Sequence, residues 1–119
     1  MENKFKKEFP DKQKRKEMSE SLIKKNPGEI PVILEKEATC KLGDIKKTRY
    51  LFKENFTINE FLAQIRKSLK ISEEEALFLS AKGKYNLIGV KTMGEIYNLY
   101  KDKEDGFLYI MYSSFVVYG

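Results

Sequence analysis

The 119-residue chain contains no histidine, which excludes serine–histidine and cysteine–histidine catalysis and the common histidine-containing zinc sites. It has a single cysteine, Cys40, so no internal disulfide can form and no cysteine-only metal site can be built. A lone thiol fits a reducing compartment such as the cytosol, where nothing drives it to pair. No stretch approaches the roughly 18 consecutive apolar residues of a membrane span. Residues 1–16 are charged throughout and lack the apolar segment of a signal peptide, which predicts a chain made in soluble form. Any enzymatic activity would have to rest on carboxylates, lysines or tyrosines. Asp44, Glu54 and Asp105 fall in no acid/base constellation and read as surface charge.

What is present fits one domain. With 41% hydrophobic and 13% aromatic residues, a chain of this length can bury about two thirds of its unfolded surface in one core. The net charge of +5 is uneven: up to Asn26 there are nine basic and five acidic residues, so that segment carries +4 and the remainder almost nothing. A basic, core-poor arm on a nearly neutral body is a surface for acidic partners: proteins, membrane head groups or nucleic acid.

The arm, residues 1–26, reads as two short helices separated by Pro10. Phe5 and Phe9 lie four apart, Asp11 can cap the second helix, and Met18 and Leu22 are again four apart. Pro27 and Gly28 stop that helix. Ile30, Val32 and Leu34 then alternate as a strand does, with Pro31 at its start or on an edge because proline donates nothing to a ladder. Thr48, Tyr50 and Phe52 alternate likewise, so the two strands form an antiparallel hairpin with a long loop. Thr57 with Glu60 makes a capping box, and Phe56 with Phe61 occupies the staple positions around it. The helix that starts there carries Ile58, Phe61, Leu62, Ile65 and Leu69 on one face. After a turn at Ser72–Glu75, the run Ala76–Leu79 is a short buried strand. A second capping box, Thr92 with Glu95, opens another helix. Phe107–Tyr112 is apolar on both faces and therefore a central strand. These elements make a small α+β domain with a helical arm. Their order is that of a β-grasp, and ferredoxin-like or profilin-sized arrangements remain open on periodicity.

Several stretches, taken in order, resemble the ubiquitin-like autophagy modifiers, the family of the microtubule-associated-protein light chain and the GABA-receptor-associated protein. They are Phe9-Pro10 before basic residues, Ile30 to Lys36, Tyr50-Leu51, Thr57 to Phe61 continuing into Ile65-Arg66-Lys67, and Ala76-Leu77-Phe78. Thr92 to Tyr97, Phe107 to Ile110, Tyr112-Ser113 and the terminal Tyr118-Gly119 complete the set. The resemblance implies an α+β ubiquitin-like β-grasp with a four-stranded mixed sheet and two extra N-terminal helices, residues 1–26 packing on a body of 27–119 that ends in a flexible tail.

It also implies a monomeric modifier rather than an enzyme, with no cofactor. Gly119 would be activated, passed to carrier cysteines of activating and conjugating enzymes, joined to the amine of phosphatidylethanolamine, and released by a delipidating cysteine protease. Glycine suits this because a terminal carboxyl that threads narrow active sites tolerates no side chain. The protein would be cytoplasmic, and attached to autophagosomes, related vesicles or another organelle membrane once lipidated. Receptor peptides of the form aromatic-x-x-aliphatic would add beside the second strand. By position, Leu22, Pro31, Arg49, Leu51 and Phe107 match the pocket for the aromatic residue, and Tyr50, Phe52, Phe56, Phe61 and Ile65 the pocket for the aliphatic one. Lys46, Lys47, Arg49 and Arg66 match the contacts to acidic flanks. Met18, Glu29 and Gln64 depart from the family's usual residues and imply a shifted receptor preference. The tail Phe115-Val116-Val117 is unusually apolar, fit to pack on the body or to meet a membrane.

The competing readings come from other classes. An unconjugated ubiquitin-like adaptor would use the basic arm to hold microtubules or acidic membranes. A nucleic-acid binder would use the same charge with interleaved aromatics, yet only Arg15, Arg49 and Arg66 are arginine and glutamates interrupt the basic runs, so no specific nucleic acid is expected.

Overall fold

Pro10 divides the first helical segment in a computed structural model that describes residues 3–115. Helix α1 (Lys4–Glu8) closes on Phe9, whose N–H bonds the Phe5 carbonyl at 2.9 Å. Helix α2 (Lys12–Lys25) begins after Asp11, whose carboxylate accepts from the Gln13 N–H, and ends before Pro27 and Gly28. Strands β1 (Glu29–Lys36) and β2 (Arg49–Lys53) pair antiparallel, as the alternation predicted. Helix α3 (Ile58–Leu69) starts at the expected capping box, with Thr57 and Glu60 bonding reciprocally. Strand β3 (Phe78–Ala81), helix α4 (Met93–Tyr100), with its own Thr92–Glu95 capping box, and strand β5 (Leu108–Ser113) complete the predicted order.

One strand was not foreseen. Tyr85–Leu87 forms β4, antiparallel to β3 across the turn at Lys82-Gly83-Lys84, so the sheet has five strands in the order β2-β1-β5-β3-β4 rather than four. Three residues with only Leu87 buried are too short for periodicity to register.

Pro31 also sits differently from its expected place: it is the third residue of β1, an interior strand. The Leu34 N–H points to β2, reaching Thr48 O at 2.7 Å, so by alternation the Pro31 nitrogen points toward β5. The parallel β1–β5 ladder starts one residue later, at Val32 opposite Leu108, and the missing donor costs nothing.

The sheet is covered on both faces. Ile30, Val32, Leu34, Leu108, Ile110 and Tyr112 join Phe61, Ile65 and Ile96 in the core on one side; Ile33, Phe107 and Tyr109 join Phe5 on the other, beneath Phe9, Met18 and Leu22. This double cover is why Phe107–Tyr112 is apolar at every position. Each such aliphatic or aromatic side chain contributes about 1.5–3 kcal/mol by leaving water.

Helix α2 is held by polar contacts instead, since its buried residues are Arg15 and Ser19. The Arg15 guanidinium meets Asp105 at 2.7 Å and donates to the Phe9 carbonyl, while the Ser19 hydroxyl donates to the Asp105 carbonyl. Asp105 also accepts from the Tyr109 hydroxyl and the Phe107 N–H. Asp105 is therefore no surface charge, as its sequence context implied, but fully buried and saturated with donors. Burial, together with the neighbouring carboxylate, pushes the Tyr109 hydroxyl far above the usual tyrosine pKa.

Candidate functional site

Strand β2 is an edge of the sheet, and its five residues divide by face. Tyr50 and Phe52 turn to the core over α3; Arg49 and Leu51 turn to the side covered by α1 and α2. On that second side a groove of about 550 Å³ lies between β2 and α2. Leu22, Arg49, Leu51 and Phe107, four of the five residues assigned from sequence to the aromatic pocket, line it together. Pro31 is buried beside Leu51 in the ladder and is not part of the lining. Phe5, Met18, Ser21, Val32 and Ile33 complete the walls. Of these, Phe5 and Met18 were legible as members of helical i, i+4 pairs, but no local pattern says that α1 and β2 face one another.

The rim is basic and already engaged. The Arg49 guanidinium lies 5.2 Å from the ring centres of both Phe5 and Phe9 and bonds the Glu8 carboxylate at 3.2 Å. Lys47 Nζ sits 4.7 Å above the Tyr50 ring, whose hydroxyl is raised in pKa by burial. Lys46 is exposed beside it. Arg66 belongs to α3, where it donates to the Ser72 carbonyl at 3.3 Å, and it takes no part in the groove's lining.

The residues assigned to the aliphatic pocket do cluster, on the opposite face of β2. Phe52 stacks on Tyr50 and on Phe56, at 5.3 Å in each case, and meets Phe61 edge-on at 4.6 Å. Phe61 and Ile65 expose no surface at all, Tyr50 and Phe52 very little, and Phe56 is half-buried. The hydrophobic staple predicted between Phe56 and Phe61 runs through Phe52, which touches both rings. Tyr50 serves both sides, since it also borders the groove.

A second cavity, of about 490 Å³, opens between α1, the β3–β4 turn and the segment after α4. Lys6 and Asp102 bond across it at 2.7 Å, and Glu35 beside them accepts the Phe5 N–H at 2.8 Å. Among the described residues no group of cysteines and carboxylates could hold a metal ion, and no helix is long and apolar enough to cross a membrane. Gly119 lies outside the described residues. The arrangement offers an unpaired strand edge, an apolar groove beside it and cations at the rim, which suits an extended acidic peptide with one large apolar side chain.

Residues 14–119 match the family described as Autophagy protein Atg8, ubiquitin like. Autophagy-related protein 8 of Kluyveromyces lactis is 39% identical over 119 residues, spanning 100% of this chain and 94% of that protein. Autophagy-related protein 8D of Oryza sativa subsp. japonica is 36% identical over 115 residues, covering 97% and 96% respectively. The crystal structure of Trypanosoma brucei ATG8 superposes with a TM-score of 0.86 at 28% identity, over 100% of both chains.

Proposed function

The chain belongs to the Atg8 family of ubiquitin-like autophagy proteins, modifiers rather than enzymes, and from that premise we propose that it is conjugated through Gly119 to phosphatidylethanolamine and recruits receptor peptides in the groove beside β2. The observation that carries the second half of this reading is the meeting of Leu22, Arg49, Leu51 and Phe107 around one apolar groove at an unpaired strand edge. An aromatic-x-x-aliphatic peptide adds to β2 through its backbone and places its aromatic ring among these residues, its acidic flank meeting Lys46, Lys47 and Arg49. The aliphatic residue rests over Phe56 and the edge of Tyr50, with Phe61 and Ile65 as the floor beneath. Partners on this reading are the activating, conjugating and delipidating enzymes of the modifier pathway. The protein moves between cytoplasm and autophagosome-type membranes.

The test is mass spectrometry of the protein recovered from membranes of its own cells, beside a reconstituted conjugation of the Gly119→Ala variant. A phosphatidylethanolamine adduct on Gly119, lost in the variant, is the expected result. Free Gly119 carboxylate under conditions that drive membrane recruitment would overturn it in favour of an unconjugated adaptor working through the basic arm.

A further inference from the structure

Two large apolar side chains, one residue apart in the chain, stand mostly in water: Ile88 is 77% exposed and Val90 79%. They occupy the loop from β4 to α4. Between them Gly89 has φ +91°, with nothing within 4 Å of where a Cβ would stand, so the loop protrudes into open space. Burying one such residue elsewhere in the fold would be simple, and leaving two on one protruding loop costs solubility without any return from packing.

The sheet register says what this loop is near. Leu87 pairs with Leu79, and Leu79 pairs on its other side with Tyr112, so β4 and β5 run in the same direction and end level with each other, two strand spacings or about 10 Å apart. Ile88 therefore leaves the sheet at the end where β5 also finishes, and Phe115, 40% exposed, follows β5 out of that end. Gly119 lies six positions beyond Ser113, a reach of at most about 20 Å. If a lipid is held at Gly119, the end of β5 stays within about 20 Å of the bilayer surface. Exposed Lys91 follows the loop and matches a lipid phosphate; Glu73, Glu74 and Glu75 precede β3 at the same end, so the apolar pair rather than net charge carries the contact.

We infer that the Ile88–Val90 loop is a shallow membrane-insertion element, seating its two aliphatic side chains at the lipid interface while Lys91 meets the head groups. The inference rests on the conjugation reading for its geometry, and its test does not. The chain has no tryptophan, so Val90→Trp supplies a single reporter at a site where a larger side chain meets only solvent. The full chain, with one cysteine appended after Gly119, is coupled chemically to maleimide-bearing phosphatidylethanolamine in phosphatidylcholine vesicles; native Cys40 is buried. Emission of the introduced tryptophan shifts to the blue and is quenched by lipids brominated in the acyl chain, whereas a Lys14→Trp control on exposed α2 shows neither. Adding Ile88→Ser to the reporter lowers the quenching several-fold. Because Val90→Trp itself favours membranes, the chain without a reporter is tested too: Ile88→Ser with Val90→Ser weakens vesicle recapture after mild detergent release by about tenfold. An unquenched reporter on the tethered chain, or a double serine variant that partitions like the parent, overturns the inference. A missing adduct on native Gly119 would overturn the conjugation reading and leave the quenching result as it stands.

Discussion

Arg15 and Asp105, ninety residues apart in sequence, meet at 2.7 Å with side chains 5% and 0% exposed. The pair clamps α2 onto the turn that launches β5, and so holds one wall of the groove, Leu22, against another, Phe107. Removing one member leaves the other as an unpaired buried charge. Arg15→Met is expected to cost about 3–5 kcal/mol in urea unfolding. Combining it with Asp105→Asn removes both charges and recovers part of that loss, because the asparagine Oδ1 still accepts from the Phe107 N–H and its Nδ2 can donate to the Tyr109 hydroxyl oxygen. A double variant no better than the single one would show that charge is not the cause.

The second cavity carries two carboxylates with opposite pH behaviour. Burial pushes Asp102 upward, but the Lys6 ammonium and the N–H groups of Glu104 and Asp105 outweigh it and hold its pKa below the ordinary 3.8. Its stabilisation is present above the unfolded-state value and lost as pH falls through the folded one. Glu35 is raised above its ordinary 4.5 by burial, more than the Phe5 N–H lowers it. The folded chain therefore holds that proton to higher pH than the unfolded chain, and stability falls as pH rises through the folded value. Thermal melts across pH should show Asp102→Asn below the parent at neutral pH and Glu35→Gln above it, with both gaps closing in acid.

Leu51 is half-buried on the groove side of the edge strand, where it supplies apolar area and little to the core. Leu51→Ala is expected to weaken an acidic aromatic-x-x-aliphatic peptide about tenfold by calorimetry, with the melting temperature nearly unchanged. An unchanged affinity would place the peptide elsewhere.

Glu8 already occupies Arg49 through an exposed contact, and an acidic peptide must compete with it. Glu8→Gln should tighten such a peptide about two- to threefold, consistent with the modest worth of a surface ion pair, and should leave a neutral peptide unaffected. Equal gains for both peptides would contradict competition at Arg49.

Gly106 has φ +78°, and a Cβ there would stand 2.9 Å from the Ser19 hydroxyl oxygen. Gly106→Ala is expected to cost about 1–3 kcal/mol in urea unfolding, from backbone strain and the displaced serine together.

Much of this fold could be read locally. Capping boxes announce α3 and α4 because each stands directly before an apolar helical repeat, whereas the same pattern at Ser72–Glu75 lacks one and makes only a turn, and Phe107–Tyr112 betrays a central strand because both its faces are covered. What escaped depends on partners distant in sequence. Asp105 looks like any surface carboxylate until Arg15 and Tyr109 are brought to it, and β4 exists because β3 offers an edge, with no alternation of its own. The groove was legible as a set of residues through family resemblance, while the engagement of Arg49 by Glu8, Phe5 and Phe9 follows only from where α1 packs.

The position of β5 between β1 and β3 has a consequence for biosynthesis. Without β5 the other four strands fall into two separate hairpins, β1 with β2 and β3 with β4, with no ladder joining them. A chain still emerging from the ribosome therefore cannot close its sheet until Leu108–Ser113 has been added, and a message truncated before Leu108 yields halves that cannot combine. The strand that closes the sheet is also the one that leads toward Gly119, so a folded body tells whatever acts on it that synthesis has passed Ser113.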